Sequence, residues 1–211
     1  MTSHKHHIQK FCCILDNGHG RFTRGKRSPV LKDGRQLFEY EFNRAIVRRI
    51  AEELDRRCIA NVILVPEIDC GNFVKGRTER ANDFNRFSNL PTRLVSIHAN
   101  AHDNNDMGGG WSTAHGIETL HYPSRHSTAL AQVFQKHLIK RIGWRNRGNK
   151  PRTNLWLLRE SHMPAVMTET GFMTNLQECL ELMNEEVRDE IAMAHVEAIC
   201  EIEGLDFKKN H

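Results

Sequence analysis

Short apolar runs, several of them continuous rather than alternating, constrain the fold of this chain more than any other feature. They are FCCIL (11–15), NVILV (61–65), RLVSI (93–97), IETLHY (117–122), LWLL (155–158) and AVMTE (165–169). Because strands buried on both faces produce such runs, we predict a mostly parallel sheet of about six strands.

Between most of these runs lie stretches with the spacing of amphipathic helices. The clearest covers 37–57, where five apolar residues recur every four positions: Phe38, Phe42, Ile46, Ile50 and Leu54. Further helices are predicted near 76–88, 125–142, 175–183 and 185–202. Strands that alternate with helices indicate an α/β fold, an open twisted sheet with helices on both faces.

No repeat, low-complexity linker or internal boundary interrupts this pattern, so we expect a single domain. A chain of 211 residues is long enough to bury a sizeable core. We place the domain at 11–205, after a disordered segment at 1–10 and before a tail at 206–211. Two long loops, 21–34 and 106–116, interrupt the regular elements, and long loops in compact domains are often functional.

The composition is that of a soluble globular protein, with 39% hydrophobic and 27% charged residues. The formal net charge is +4, which suits an anionic surface or polymer. The charges are scattered and form no arginine-rich arm, so we expect no nucleic acid partner. No apolar stretch approaches the length of a membrane span. We expect a monomer.

The six cysteines form no CxxC pair, so we expect reduced core residues and synthesis in a reducing compartment. The N-terminal stretch MTSHKHHIQK is positively charged but lacks the apolar core of a signal peptide. We therefore expect no ordinary secretion signal.

Three predicted strands end in groups that can perform chemistry. FCCIL leads into LDNGHG with His19, RLVSI leads directly into His98, and AVMT leads into Glu169. In open α/β sheets, ligands bind beyond the carboxyl ends of the strands. One such histidine is more often structural, but three convergent groups predict a site. We expect the glycines to bend the backbone so that His19 faces a ligand, with Asp16 or Asn17 bracing the turn.

Two imidazoles at one sheet edge suggest a metal site. Histidine is the commonest zinc ligand, and a catalytic zinc typically takes three protein ligands and keeps one position open. The helix at 37–57 offers a third ligand, because Glu39 points with the apolar stripe while Glu41 lies roughly 140° away. A buried, unpaired carboxylate is costly, and a metal removes that cost. The alternative is an ion pair between Glu39 and one of the many arginines.

Several motifs follow one another along the chain: ILDNGHG, the Glu39–Asn43 pair in EYEFN, RANDFN, SIHANA, GIETLHY, MPAVMTETGFMTN and IAMAHVEAI. Their order resembles that of zinc-dependent N-acetylmuramoyl-L-alanine amidases of the Amidase_3 type. GHG alone is weak, but SIHANA and ETGFMTN together in this order are specific. The chain resembles this family from about residue 11 to residue 203. It departs from the family at Asn17, where proline is more usual, and in a longer, glycine-rich segment after His98.

The resemblance implies a zinc hydrolase that cleaves the amide bond between N-acetylmuramic acid and L-alanine of the stem peptide in peptidoglycan. It assigns one Zn²⁺ to His19, Glu39 and His98, and it makes Glu169 the catalytic carboxylate. We expect zinc to polarise the scissile carbonyl and to lower the pKa of its bound water. Glu169 is expected to act as general base and then as general acid.

Asn100 and His115 are predicted substrate contacts, and His115 lies in a glycine-rich segment that we place in the cleft wall. Two other functions stay open: a wall-binding module with a structural metal, and a zinc peptidase that cuts within the stem peptide. The intact ligand set with Glu169 favours the amidase. We expect action on the cell wall, at its extracellular or periplasmic face, as an autolysin or as an endolysin released by lysis.

Overall fold

The computed structural model describes residues 9–66, 74–102 and 110–207. Within these residues the chain forms six strands and six helices. The strands are β1 (Cys12–Asn17), β2 (Asn61–Ile63), β3 (Thr92–Asn100), β4 (Ile117–His121), β5 (Asn146–Pro151) and β6 (Ala165–Phe172). The helices are α1 (Glu39–Arg56), α2 (Val74–Phe87), α3 (Arg125–Ile142), α4 (Trp156–Glu160), α5 (Leu176–Leu182) and α6 (Glu185–Glu203).

The strands form one sheet in the order β2-β1-β3-β6-β4-β5. The first four strands in this order are parallel, whereas β4 runs antiparallel to β6 and parallel to β5. The prediction of a mostly parallel α/β sheet is confirmed. The carboxyl ends of β1, β3 and β6 therefore meet at one edge of the sheet, and β4 begins at the same edge because its direction is reversed.

Helices cover both faces of the sheet. On one face, Ile46 of α1, Phe134 of α3 and Ile199 of α6 belong to a single apolar cluster. On the other face, Ala81 of α2 and Leu157 of α4 belong to a second cluster. Burial of these apolar stripes on both sides holds the strand ends in fixed positions.

The prediction of a strand at LWLL is wrong, because this segment forms the short helix α4. Leu157 and Leu158 are both buried while Trp156 is 42% exposed, a pattern that the two-residue period of a strand does not produce. The strand that was not predicted is β5, because its sequence NRGNKP carries no apolar signal. It lies at the sheet edge and pairs with β4, so it has little apolar surface to bury.

Some predictions fall on residues outside the described ranges. The N-terminal segment through residue 8, the tail from residue 208 and most of the loop between His98 and β4, at 103–109, are among them. Among the described cysteines, Cys12, Cys13, Cys58, Cys179 and Cys200 are free of disulfides. No helix in the described ranges combines the length and hydropathy needed to cross a membrane.

Candidate active site

His19, Glu39 and His98 form one compact cluster where β1 and β3 end and α1 begins. One potential ligand atom from each residue lies within 4.8 Å of those of the other two. A Glu39 carboxylate oxygen lies 2.9 Å from His98 Nδ1, and the other lies 3.3 Å from His19 Nε2. Glu39 is 2% exposed and Glu41 is exposed, as the helical spacing predicts. Glu39 thus faces two imidazoles in the described part of the chain.

The turn after β1 depends on His19 itself for its bend. His19 has a φ of 62°, in the left-handed region that non-glycine residues enter at a cost of about 1 kcal/mol. Gly18 provides space instead, because a Cβ on it would lie 2.1 Å from His98 Cε1. Asn43 of α1 holds the turn by donating a hydrogen bond to the Gly18 carbonyl at 2.9 Å. The expectation that the glycines supply the bend is therefore corrected.

Arg77 of α2 anchors the same turn from the other face of the sheet. Its guanidinium donates hydrogen bonds to the carbonyl oxygens of Asn17, at 2.9 Å, and of His19, at 2.7 Å. It also forms a buried ion pair with Asp16. Asp16 thus braces the turn through its side chain and Asn17 through its backbone. Charge-assisted contacts of this kind fix the backbone from which the His19 ring projects.

A chain of hydrogen bonds fixes the second imidazole. His98 Nε2 lies 3.1 Å from Ser96 Oγ, and Ser96 Oγ donates to an Asp16 carboxylate oxygen at 2.5 Å. Because Ser96 Oγ–H donates to Asp16, the Ser96 oxygen accepts the hydrogen bond from His98 Nε2–H. In the protonated ring Nδ1–H donates to Glu39, and loss of that proton leaves Nδ1 as the nitrogen able to bind a metal. Outer hydrogen bonds of this type commonly orient metal-binding histidines.

The electrostatics of the cluster keep its carboxylate ionised. Burial raises the pKa of Glu39, but hydrogen bonds from His19 and His98 outweigh burial and hold that pKa well below its usual range. Burial lowers the pKa of His98, and its hydrogen bond with Glu39 reverses the effect, so the net pKa is raised. For His19 burial prevails and the pKa is lowered. The cluster therefore presents the ionised Glu39 carboxylate beside the His19 imidazole, whose lowered pKa favours its neutral form.

This donor set fits a zinc ion. Two histidines and one glutamate are a known ligand set of catalytic zinc. Ligand atoms about 2.1 Å from a tetrahedral zinc lie about 3.4 Å apart, close to the Glu39–histidine separations given above. A carboxylate enclosed by two imidazoles is also costly to bury without a cation. His19, Glu39 and His98 could therefore hold the metal.

Glu169 stands beside this cluster on β6. Its Cα pairs with that of His98 across β3 and with that of Glu118 across β4. Within the described residues no donor reaches the buried Glu169 Oε2. Burial raises the pKa of Glu169 to about 7, with Glu39 adding to the rise and His98 opposing it. A carboxyl group with this pKa can exchange protons near neutral pH, as a general base must.

Asn100 and His115 lie outside the metal cluster. Asn100 ends β3, where its side-chain oxygen accepts a hydrogen bond from Ala101 N at 2.8 Å. His115 is exposed and precedes β4, with Nδ1 2.9 Å from the Thr113 carbonyl oxygen. His115 also lines a cavity of about 270 Å³ beside Trp144. Both residues thus lie at the edge of the sheet where the cluster forms.

Two residues that position the site were missed in the sequence. Arg77 stands on the buried face of α2 with Thr78 and Ala81, and an arginine on such a face is a recognisable signal for a buried ion pair. Ser96 precedes His98 by two residues on β3, so both side chains point to the same side of the strand. That spacing could have suggested their contact.

A sequence profile of the Amidase_3 family, described as N-acetylmuramoyl-L-alanine amidase, matches residues 13–201. The endolysin of Bacillus phage SPP1 is 31% identical over 202 residues, which cover 92% of this chain and 66% of that protein. The amidase LytC of Bacillus subtilis (strain 168) is 30% identical over 184 residues, which cover 86% of this chain and 33% of LytC. The chain thus spans about a third of LytC and about two thirds of the endolysin.

Solved structures show the same likeness. The crystal structure of an N-acetylmuramoyl-L-alanine amidase from Clostridium difficile 630 superposes with a TM-score of 0.78 at 30% sequence identity. The match covers 92% of this chain and 97% of that one. AmiC2 of Nostoc punctiforme, also an N-acetylmuramoyl-L-alanine amidase, matches with a TM-score of 0.75 at 28% identity, over 91% of this chain and 96% of AmiC2.

Proposed function

The chain belongs to the Amidase_3 family of N-acetylmuramoyl-L-alanine amidases, and we propose that its strand-end cluster is the catalytic site of that activity. The enzyme hydrolyses the amide bond that joins N-acetylmuramic acid to L-alanine in peptidoglycan. The observation that carries the assignment is the juxtaposition of a compact His–Glu–His donor set with a partly buried carboxyl group on the neighbouring strand.

We propose that His19, Glu39 and His98 hold one zinc ion. Bound there, zinc would supply a Lewis acid for the amide carbonyl and for water. The hydrogen bonds from Ser96 to Asp16 and from Arg77 to the β1 turn keep both imidazoles in place. Such buried hydrogen bonds behind the ligands commonly orient them for a metal.

Glu169 is the proposed catalytic residue. Its Oε2, which has no hydrogen-bond donor among the described residues, is the atom proposed to accept a proton from water as that water attacks the amide carbonyl. The same carboxyl group then returns the proton to the departing L-alanine nitrogen, which leaves as an amine. Burial supports this exchange, since it brings the pKa of Glu169 close to neutrality.

Residues outside the metal cluster are proposed to contact the substrate. We assign Asn100 and His115 to substrate contacts, because both lie at the edge of the sheet that carries the cluster. The catalytic domain is proposed to be residues 11–205, acting as a monomer since a single chain supplies every group named above. The proposed place of action is the extracellular or periplasmic face of the wall, which the similarity to an endolysin supports.

The test separates metal binding from turnover. Chelation should abolish activity and added zinc should restore it. His98→Ala should lose stoichiometric zinc, measured by atomic emission, whereas Glu169→Gln should keep the zinc and lose about 10²–10⁴-fold in kcat. Most of the turnover surviving in Glu169→Gln would contradict the catalytic role, and full zinc binding by His98→Ala would contradict the ligand set.

A further inference from the structure

The two sides of the site differ in charge. Residues 20–36, here called the basic loop, leave the end of β1 and lead to α1. The loop carries six cations and a single acid, and all six cations are exposed: Arg21, Arg24, Lys26, Arg27, Lys32 and Arg35. The acid is Asp33, which is already paired with Arg35 at 2.7 Å. The basic loop therefore presents a net positive surface beside the metal cluster.

Lys26 brings this charge closest to the chemistry. The Lys26 carbonyl oxygen accepts a hydrogen bond from the backbone N–H of Glu39 at 3.1 Å, so the loop is attached directly to a proposed ligand. The Lys26 ammonium also lies close enough to act on His19, whose pKa is lowered mainly by burial, and on Glu169, whose pKa burial raises to about 7. The Lys26 ammonium forms no ion pair with any residue that the structure describes, which leaves it available to an anion.

The other side of the site holds a cavity of about 270 Å³. Its lining mixes one indole with amide, imidazole and charged groups of both signs: His115, Trp144, Arg145, Gln177, Glu178 and Glu181. Two carboxylates against one guanidinium make the lining unfavourable for an anion. An aromatic ring surrounded by planar polar groups suits a neutral ligand rich in hydroxyl and amide groups.

The cavity is built on fixed elements. The Glu178 carboxylate accepts hydrogen bonds from the backbone N–H groups of Gly116 and Phe172, both at 2.7 Å. Trp144 packs so closely on Gly171 that a Cβ there would lie 2.4 Å from its ring. Such supports preorganise a binding site and reduce the entropy lost when a ligand binds.

The order of the strands sets the two surfaces on opposite sides of Glu169. His19 follows β1, Glu169 lies on β6, and the cavity opens where β4 and β5 begin, beyond β6 in the sheet. Its residue His115 precedes Glu118, the partner of Glu169, by three residues, which is at most about 10 Å of chain. A substrate a few residues long can therefore touch both surfaces at once.

We propose that the substrate crosses the site in one direction, with its acidic stem peptide on the basic loop at Lys26 and its neutral glycan in the cavity at Trp144 and Arg145. This orientation rests on the proposed function, which places the scissile amide at the junction of those two parts. The stem peptide carries free carboxylates, whereas the hexosamines of the glycan are uncharged once the lactyl group is amidated.

Binding to zinc-loaded Glu169→Gln tests the orientation without turnover. Isothermal titration calorimetry would use three ligands: a disaccharide–stem peptide, the same compound with all its carboxylates amidated, and a stem peptide on N-acetylmuramic acid alone. Lys26→Gln and Arg145→Gln are the test substitutions. Lys10→Gln and Arg152→Gln are matched controls, because Lys10 precedes β1 and Arg152 follows β5, both at the opposite edge of the sheet.

Each test substitution should weaken binding of the complete ligand and leave binding of one altered ligand unchanged. Lys26→Gln should weaken binding of the disaccharide–stem peptide about threefold to fivefold but leave the amidated compound unaffected. Arg145→Gln should weaken the disaccharide–stem peptide about threefold and leave the compound with one sugar unaffected. A reversed pattern, or no response to either substitution, overturns the orientation. Failure of the unsubstituted enzyme to cleave the disaccharide–stem peptide would instead overturn the proposed function and leave the binding result standing.

Discussion

Gly18 and the imidazole of His98 occupy adjoining space in the metal cluster, with no room for a methyl group between them. A Cβ at Gly18 would lie 2.1 Å from His98 Cε1 and 2.2 Å from Nε2. His98 Cε1 and Nε2 thus pack against the β1 turn, while Nδ1 faces Glu39. The geometry of the donor set therefore depends on a residue that carries no side chain.

Gly18→Ala is expected to displace the His98 ring and weaken zinc binding by about 10–100-fold, the usual effect of disturbing the support of a ligand. Competition with a chromophoric chelator measures the change. Gly76→Ala is the matched control, because a Cβ at Gly76 meets nothing within 4 Å. Equal zinc affinity in the two variants would show that the close packing at Gly18 does not control the site.

Glu169 sets the pH dependence expected of catalysis. Burial raises its pKa to about 7 in the metal-free protein, and a cation bound nearby would lower it. A general base must be ionised, so kcat/KM should rise with pH to a plateau, with a midpoint at or below 7. A pH profile on a soluble muropeptide measures this limb, and a midpoint well above 7 would contradict Glu169 as the base.

At the scale of elements, α6 and β6 are joined by a buried histidine. His195 Nδ1 lies 2.7 Å from the Ile191 carbonyl oxygen, and Nε2 lies 2.9 Å from Thr168 Oγ1. Nδ1–H therefore donates and Nε2 accepts, which is the neutral form of the ring. Burial lowers the pKa of His195 to about 4, so protonation is unfavourable while the protein is folded.

His195 should make folding sensitive to acid. The unfolded chain takes up the proton near pH 6.5 and the folded chain only near 4, so the neutral ring stabilises the fold above 6.5. That contribution, about 3 kcal/mol, is lost as the pH falls from 6.5 to 4. Urea unfolding across this range should show a shallower decline for His195→Gln than for the unsubstituted protein. If stability declined equally steeply with pH in both proteins, His195 would not be the cause of the acid sensitivity.

Elements with an apolar signal could be predicted from the sequence, and those without one could not. β3 and α3 follow from their apolar patterns, but β5 does not, because an edge strand buries little. LWLL shows the opposite failure, since four apolar residues suit one turn of helix as well as a strand. At the site, His19, His98 and Glu169 could be located because each follows a recognisable apolar run.

The supports of the site depend on contacts between distant elements. Arg77 reaches the β1 turn from α2, 60 residues along the chain from Asn17. No local pattern encodes such a contact, because it exists only once the sheet has brought the two elements together. The same holds for the cavity beside Trp144, whose lining comes from the entries to β4 and β5 and from α5.

For the molecule as a whole, one sheet edge combines the metal cluster, Glu169, the basic loop and the cavity. The order β1-β3-β6-β4 brings these groups together, and helices on both faces hold the strands that carry them. The fold thus accounts for a hydrolase whose substrate joins a neutral glycan to an acidic peptide. The bond that is cut in that substrate defines the activity.

The most direct test is to identify the groups that appear when the zinc-loaded protein digests purified peptidoglycan. Amidase action should release L-alanine amino termini without new reducing sugar ends, and mass spectrometry of the fragments should place the cut between the lactyl group and L-alanine. New reducing ends without new amino termini would mean a glycosidase. Amino termini of other stem residues would mean a peptidase, and either result would contradict the account.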